Sequence, residues 1–213
     1  MARRTRAPGR PRADEGVRPA LVAAALRQLT LRGTPETVTV AAILEDAGCS
    51  APSLYHYWSS REGLLREACE AGWSEFRHSQ ATAAEVSADP LERVRARGRE
   101  YLRFALERPG LFQVLFLTPP PLPPSKDPHP DTGLAQLISD VAAAMAAGQL
   151  TPRDPTQTAI VIWSTVHGLA TLTHTNQMPD HIAFELLELS SQAVLDGLAA
   201  PLISEPTAIT PRR

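Results

Sequence analysis

Between Ser50 and His56 the chain carries Ser50, Ala51, Pro52, Ser53, Tyr55 and His56 around a single Leu54. Hydroxyl, phenol and imidazole groups on one short helix suit contacts to phosphate oxygens and base edges. Small neighbours let such a helix sit deep in a groove. Catalysis has no comparable carrier. Gly-x-Gly-x-x-Gly, a Walker loop, Gly-x-Ser-x-Gly and His-Glu-x-x-His are all missing, and strands do not alternate with helices, so no enzyme is expected. No cofactor is expected either. Cys49 and Cys69 are the only cysteines and lack Cys-x-x-Cys spacing, which argues against a disulfide framework or a zinc site. Cys49, in a turn, reads as a redox switch or as a small buried thiol. His167 and His174 fall on one helix about 10.5 Å apart along its axis, too far to share a metal without a third element. No metal site is expected.

The elements that must position the first group are legible. Thr39 is placed as an N-cap, with Val38 and Ile43 set to close a hydrophobic staple. Gly48 follows Ala47 where a left-handed residue would end that helix, and Ser50 is a second N-cap opening Ala51 to Tyr57. Two short helices separated by so tight a turn form the spacing of a DNA-binding helix-turn-helix, with the second helix as the reader. Upstream, Val22, Ala25, Leu26 and Leu29 recur at helical spacing from Arg18 to Arg32, and Gly33 supplies a stop. This helix covers the back of the pair.

At Thr39, Val40, Ile43, Ala47, Gly48, Ser50, Leu54, Tyr55, Tyr57, Trp58, Arg61 and Leu64 the chain resembles the N-terminal signature of the TetR family of bacterial repressors. Arg61 stands for the family's usual Lys and Trp58 for its Phe, each keeping the chemistry; Leu44 and Leu29 replace Ala and Phe. The resemblance implies a homodimer on a palindromic double-stranded operator. It implies DNA contacts from Thr39, Ser50, Ala51, Pro52, Ser53, Tyr55, His56 and Arg61, with Tyr55 and Arg61 on phosphates and Ser53 and His56 on bases. Further on, Trp163, His167 and Gly168 resemble the Trp/His-Gly signature of one class of C-terminal domain in that family.

Composition is consistent with such a protein. The 213 residues suffice for one medium domain or two small ones. No apolar run is long enough for a membrane span and no apolar stretch follows the N-terminal arginines, so a soluble, cytoplasmic protein is expected. The net charge of −2 is uneven: residues 1–62 hold nine Arg against six acids, and the remainder twelve Lys and Arg against seventeen acids. Residues 2–12 contribute five of those arginines with no acid, a composition that cannot form a packed element. Within them Pro8-Gly9-Arg10-Pro11-Arg12 resembles an AT-hook core, which places Arg10 and Arg12 in a minor groove or, failing that, in a solvated basic tail.

The fold expected is all-α, with a three-helix head and a helical-bundle body, about nine helices in total. Residues 1–16 form the arm, 17–64 the head, 65–200 the ligand-binding and dimerisation body, and 201–213 a flexible tail. A long helix from Arg61 to about Ala84 joins head and body. Asp89-Pro90 opens the next, whose arginines (93, 95, 97, 99 and 103) read as a solvated face. Pro119 to Pro130 reads as an exposed proline-rich loop. Thr132 to Ala147 and Asp154 onward are helical, the latter apolar almost all round, and Pro179 to Leu198 carries two apolar stripes suited to its own domain and to a partner subunit. Tyr101, Phe104, Phe112, Phe116, Met145, Trp163, His167 and Met178 are the candidates to line a cavity for a small apolar effector, ordinary core being the alternative for each. The function expected is a repressor released by that effector, or else a DNA-binding dimer without one.

Overall fold

The computed structural model describes residues 16–118 and 133–200. Nine α-helices run through them and no strand occurs among the described residues. They are α1 Val17–Arg32, α2 Val40–Ala47, α3 Ala51–Tyr57, α4 Arg61–Ala84, α5 Pro90–Glu107, α6 Pro109–Phe112, α7 Leu134–Ala146, α8 Pro155–His174 and α9 Ala183–Ala199. The class is all-α, as the sequence implies. The arm with Arg10 and Arg12, the loop from 119 to 130 and the tail from 201 lie outside the described residues.

Helix ends follow local chemistry. Asp89 accepts from the backbone of Leu91 (2.8 Å) and Glu92 (3.2 Å), and Asp154 from Thr156 (2.8 Å) and Gln157 (3.0 Å); in each case a proline follows, whose missing N–H costs nothing there. Gly33 (φ 71°) and Gly48 (φ 63°) end α1 and α2 in the left-handed conformation that residues with a Cβ resist. Ser50 occupies the N-cap position of α3, but its hydroxyl pairs with that of Ser53 (3.0 Å) instead of a backbone N–H. Pro52 offers no N–H, and the Ser53 N–H goes to the Ser50 carbonyl (3.0 Å), which leaves the cap without a backbone donor.

The chain forms two compact units. Among described residues the first comprises 16–72 and 110–118, the second 73–109 and 133–200. Leu21, Ala25 and Leu29 of α1, Ile43 of α2, Leu54 of α3 and Leu64, Leu65 and Ala68 of α4 fill the core of the first. Burying such side chains is the main stabilising term for helices this short. Residues 110–118 fall in this unit although the sequence places them in the body. Val114 is fully buried in its core, Thr118 Oγ1 donates to the Gly33 carbonyl (2.9 Å), and Gly110 lies so close to α1 that a Cβ there would sit 2.1 Å from the Thr30 carbonyl oxygen. Gln113–Leu117 wind as a π-helical turn directly after α6.

In the second unit Val94, Val141, Ala144, Leu150, Ala159, Leu195 and Leu198 join α5, α7, α8 and α9. Three of the five arginines of α5 do not belong to a solvated face. Arg93 and Arg97 both grip Asp140 of α7 at 2.7 Å, and Arg99 donates to Glu188 of α9 at 2.6 Å. A helix with arginines on several sides offers donors to whichever neighbour supplies a carboxylate, and here α7 and α9 do so.

Gly110→Ala drives a methyl group into the Thr30 carbonyl, an overpacking that costs about 1–3 kcal/mol. Urea unfolding of the variant is expected to show that loss; an unchanged midpoint would contradict the close approach.

Candidate nucleic-acid interface and interior cavity

In the first unit α2 and α3 are fixed against α1 and α4 by polar clamps as well as by core. Thr39 Oγ1 accepts from the Ala42 N–H (3.2 Å) while its own hydroxyl hydrogen stays available at an exposed position. Arg27 of α1 holds Asp46 of α2 through Nε (3.1 Å) and Nη2 (2.7 Å), and Gln28 adds a third bond (3.1 Å). Arg27 and then Gln28 keep the Asp46 carboxyl below its ordinary range. Behind α3, Glu67 Oε2 accepts from both the Trp58 indole (2.9 Å) and Arg18 (2.9 Å), whose guanidinium lies over the Trp58 ring.

This leaves one face of α3 outward. Leu54 is completely buried, Ser53 half-buried, and Ala51, Pro52, Tyr55 and His56 are exposed. The His56 ring meets the edge of Tyr57 at 4.8 Å, which limits its rotation. Arg61 is less free than its type suggests. Its Nη1 donates to the carbonyls of Val38 (2.6 Å) and Pro35 (3.2 Å) and its Nε to Glu62 (3.2 Å), so it ties down the turn before α2, and only Nη2 is uncommitted among the described residues. The described residues of this unit, 16–72 and 110–118, hold five arginines against six acids, so they carry no net positive charge; the surplus of positive charge lies in the first twelve residues.

The second unit holds a partly open cavity with about 50 Å³ of room for water centres. Phe76 and Gln80 of α4, Val94, Arg97, Gly98 and Tyr101 of α5, Leu134 and Leu137 of α7 and Ile162, Trp163 and Val166 of α8 form its wall, with Gly133 at the mouth of α7. The Tyr101 hydroxyl lies 2.7 Å from His167 Nδ1. Burial pushes the Tyr101 phenol up from its ordinary value, against an opposing hydrogen bond from Trp163, and burial lowers His167.

Residues 21–68 match the model of bacterial regulatory proteins of the tetR family, and residues 94–198 that of the tetracyclin repressor-like C-terminal domain. Together they span most of the chain. The chain belongs to the TetR family. Comparison of the sequence with curated proteins gives no match. A protein of unknown function from Rhodococcus sp. RHA1 shares the fold at a TM-score of 0.74 and 22% identity, over 90% of this chain and 100% of that one. A TetR family transcription regulator from Marinobacter aquaeolei VT8 does so at 0.65 and 21%, over 87% and 96%. The transcriptional regulator FadR from Bacillus subtilis, in complex with stearoyl-CoA, does so at 0.64 and 16%, over 85% and 97%.

As a TetR-family transcription regulator the chain carries its DNA-binding helix-turn-helix in α2 and α3. The candidate effector residues divide. Tyr101 and Trp163 line the cavity and His167 backs it through the Tyr101 hydroxyl. Phe104 packs on the edge of Phe76 (5.1 Å), Met145 joins the core of the second unit and Met178 is buried beyond the end of α8. Phe112 and Phe116 pair at 5.2 Å in the first unit. Arg97, Gln80 and Gly98 also line the cavity and were not among the candidates, because a sequence pattern weights apolar spacing and reads charge as solvated. Of the cysteines, Cys69 is buried and its thiol is pushed up to about 12, while the half-buried Cys49 thiol donates to the Ala47 carbonyl (3.5 Å).

His167 generates a pH dependence. Its folded pKa lies below the ordinary 6.5, so the neutral ring contributes stability that is full above about that pH and is lost as pH falls below it toward the folded value. The melting temperature is expected to drop between about pH 7 and pH 5.5, with a smaller drop in His167→Gln. Identical drops in the two proteins would remove His167 from the account.

Proposed function

We propose that the chain is a homodimeric, cytoplasmic repressor that reads a palindromic operator with α3 of each subunit and leaves it when a small effector fills the cavity of the second unit. The outward face of α3 carries this reading: Leu54 is wholly buried while Ala51, Pro52, Tyr55 and His56 stand exposed at and beyond the helix N-terminus. His56 and Ser53 read bases in this scheme. Tyr55, Thr39, the Ser50 hydroxyl and Nη2 of Arg61 meet phosphates, which position the helix without specifying sequence. Because the described head carries no net positive charge, nonspecific attraction falls to the arm, including Arg10 and Arg12.

A dimer is supported by what α8 and α9 leave uncovered. Ile160, Val161 and Leu172 are 41–49% exposed, Phe184 38% and Leu189 68%. Apolar side chains gathered on two adjacent helices suit a four-helix contact with a second copy. One seven-residue reading helix contacts only a few base pairs, and a second half-site supplies the missing specificity. FadR of Bacillus subtilis is complexed with stearoyl-CoA. The present cavity is small, with about 50 Å³ of room for water centres, so a long acyl chain would need it to open.

Deleting residues 2–12 is expected to flatten the salt dependence of binding to any duplex by up to about four logarithmic units per subunit, whereas His56→Ala lowers affinity by about 1–3 kcal/mol at particular base pairs only. Uniform weakening by His56→Ala across random DNA would remove its base-reading role. For the switch, calorimetry of an effector with and without operator DNA is expected to give different affinities, since coupling is reciprocal. Equal affinities would leave a DNA-binding dimer without an effector.

A further inference from the structure

The cavity wall holds one cation and no carboxylate. That cation is Arg97, whose side chain is only 11% exposed. A guanidinium has five N–H donors in a fixed fork. Here Nε donates to Asp140 Oδ2 (2.7 Å), and Nη1 divides its two hydrogens between the Gln80 carbonyl (2.9 Å) and Gln136 Oε1 (2.9 Å). Among the described residues no hydrogen bond reaches Nη2, and that nitrogen is not one of the fully enclosed polar atoms left without a partner. Two charged donors therefore remain on a residue that lines a largely apolar space.

The charge balance around it points the same way. Asp140 is shared by Arg93 and Arg97, which leaves one positive charge in excess. The neighbouring ions of α5 are matched among themselves: Arg95 and Arg99 face Glu92 and Glu188. Two guanidiniums sharing one carboxylate leave positive charge incompletely balanced beside a largely apolar wall, and an anion delivered with an apolar body relieves it by charge-assisted bonds about twice as strong as neutral ones.

We propose that the cavity takes a small monocarboxylate with an apolar body, its carboxylate received by Nη2 of Arg97 and its body set among Leu134, Leu137, Ile162 and Trp163. A cavity this small limits that body to a short chain or a single ring. Gly98 keeps the space open: on the wall of the cavity, a Cβ built there meets nothing within 4 Å, although glycine inside a helix costs about 1 kcal/mol relative to alanine. The proposal rests on the effector reading for its purpose but not for its test.

The test is calorimetry of the full chain with hexanoate and benzoate against hexanamide and benzamide. At least one acid is expected to bind ten times or more tighter than its amide. Arg97→Lys keeps the charge but loses the fork, and should erase most of that preference; Gly98→Val leaves Arg97 in place and should abolish binding by filling the space. Amides that bind as well as the acids, binding by none of the four compounds, or undiminished acid binding by a folded Gly98→Val protein would each overturn the proposal. A carboxylate that binds as expected but does so equally with and without DNA would instead overturn the effector reading alone.

Discussion

A helix of seven residues has few internal hydrogen bonds and cannot persist on its own, yet α3 must hold its side chains at a fixed angle to be read by a groove. The first unit is arranged around that constraint. Leu54 anchors α3 from beneath, the left-handed Gly48 sets its entry, and at its exit Trp58 is fastened through its indole to Glu67, which also takes Arg18. One carboxylate thus joins α1, the end of α3 and α4. Arg27 with Asp46 does the same for α1 and α2, and Arg61 for the turn that precedes α2. Each bond by itself is a modest exposed or half-exposed pair. Together with the buried leucines they leave α3 a single orientation.

The second unit differs in that its packed bundle leaves a cavity. Its helices are held by ions on α5, which reach Asp140 on α7 and Glu188 on α9, so the bundle does not depend on apolar filling at every level. The chain passes between the units as the continuous helix α4 and again at the junction of α5 and α6, where Arg108 of the second unit pairs with Glu75 on α4.

Much of this was legible in the residues. Caps and stops are local events, so Thr39, Gly48, Asp89-Pro90 and Asp154-Pro155 placed their helices closely, and the buried role of Leu54 followed from spacing alone. What escaped the sequence depends on pairs distant along the chain. Arg93 and Arg97 looked solvated because Asp140 lies more than forty positions away. The segment 110–118 looked like body because nothing local reveals that Gly110 abuts Thr30. The candidate cavity residues were chosen as aromatic or apolar; Tyr101 and Trp163 line the cavity, whereas Phe112 and Phe116 belong to the first unit, since an aromatic ring packs equally well in either unit.

The central claim is that α3 reads sequence in a two-fold assembly. The most direct measurement is selection of bound duplexes from random DNA by the full chain, followed by the stoichiometry on the enriched site. The account predicts a palindromic site whose half-sites are separated by about one helical turn or a multiple of it, with each half held by one subunit. Enrichment of no sequence, or of a single asymmetric site bound by one chain, would contradict it.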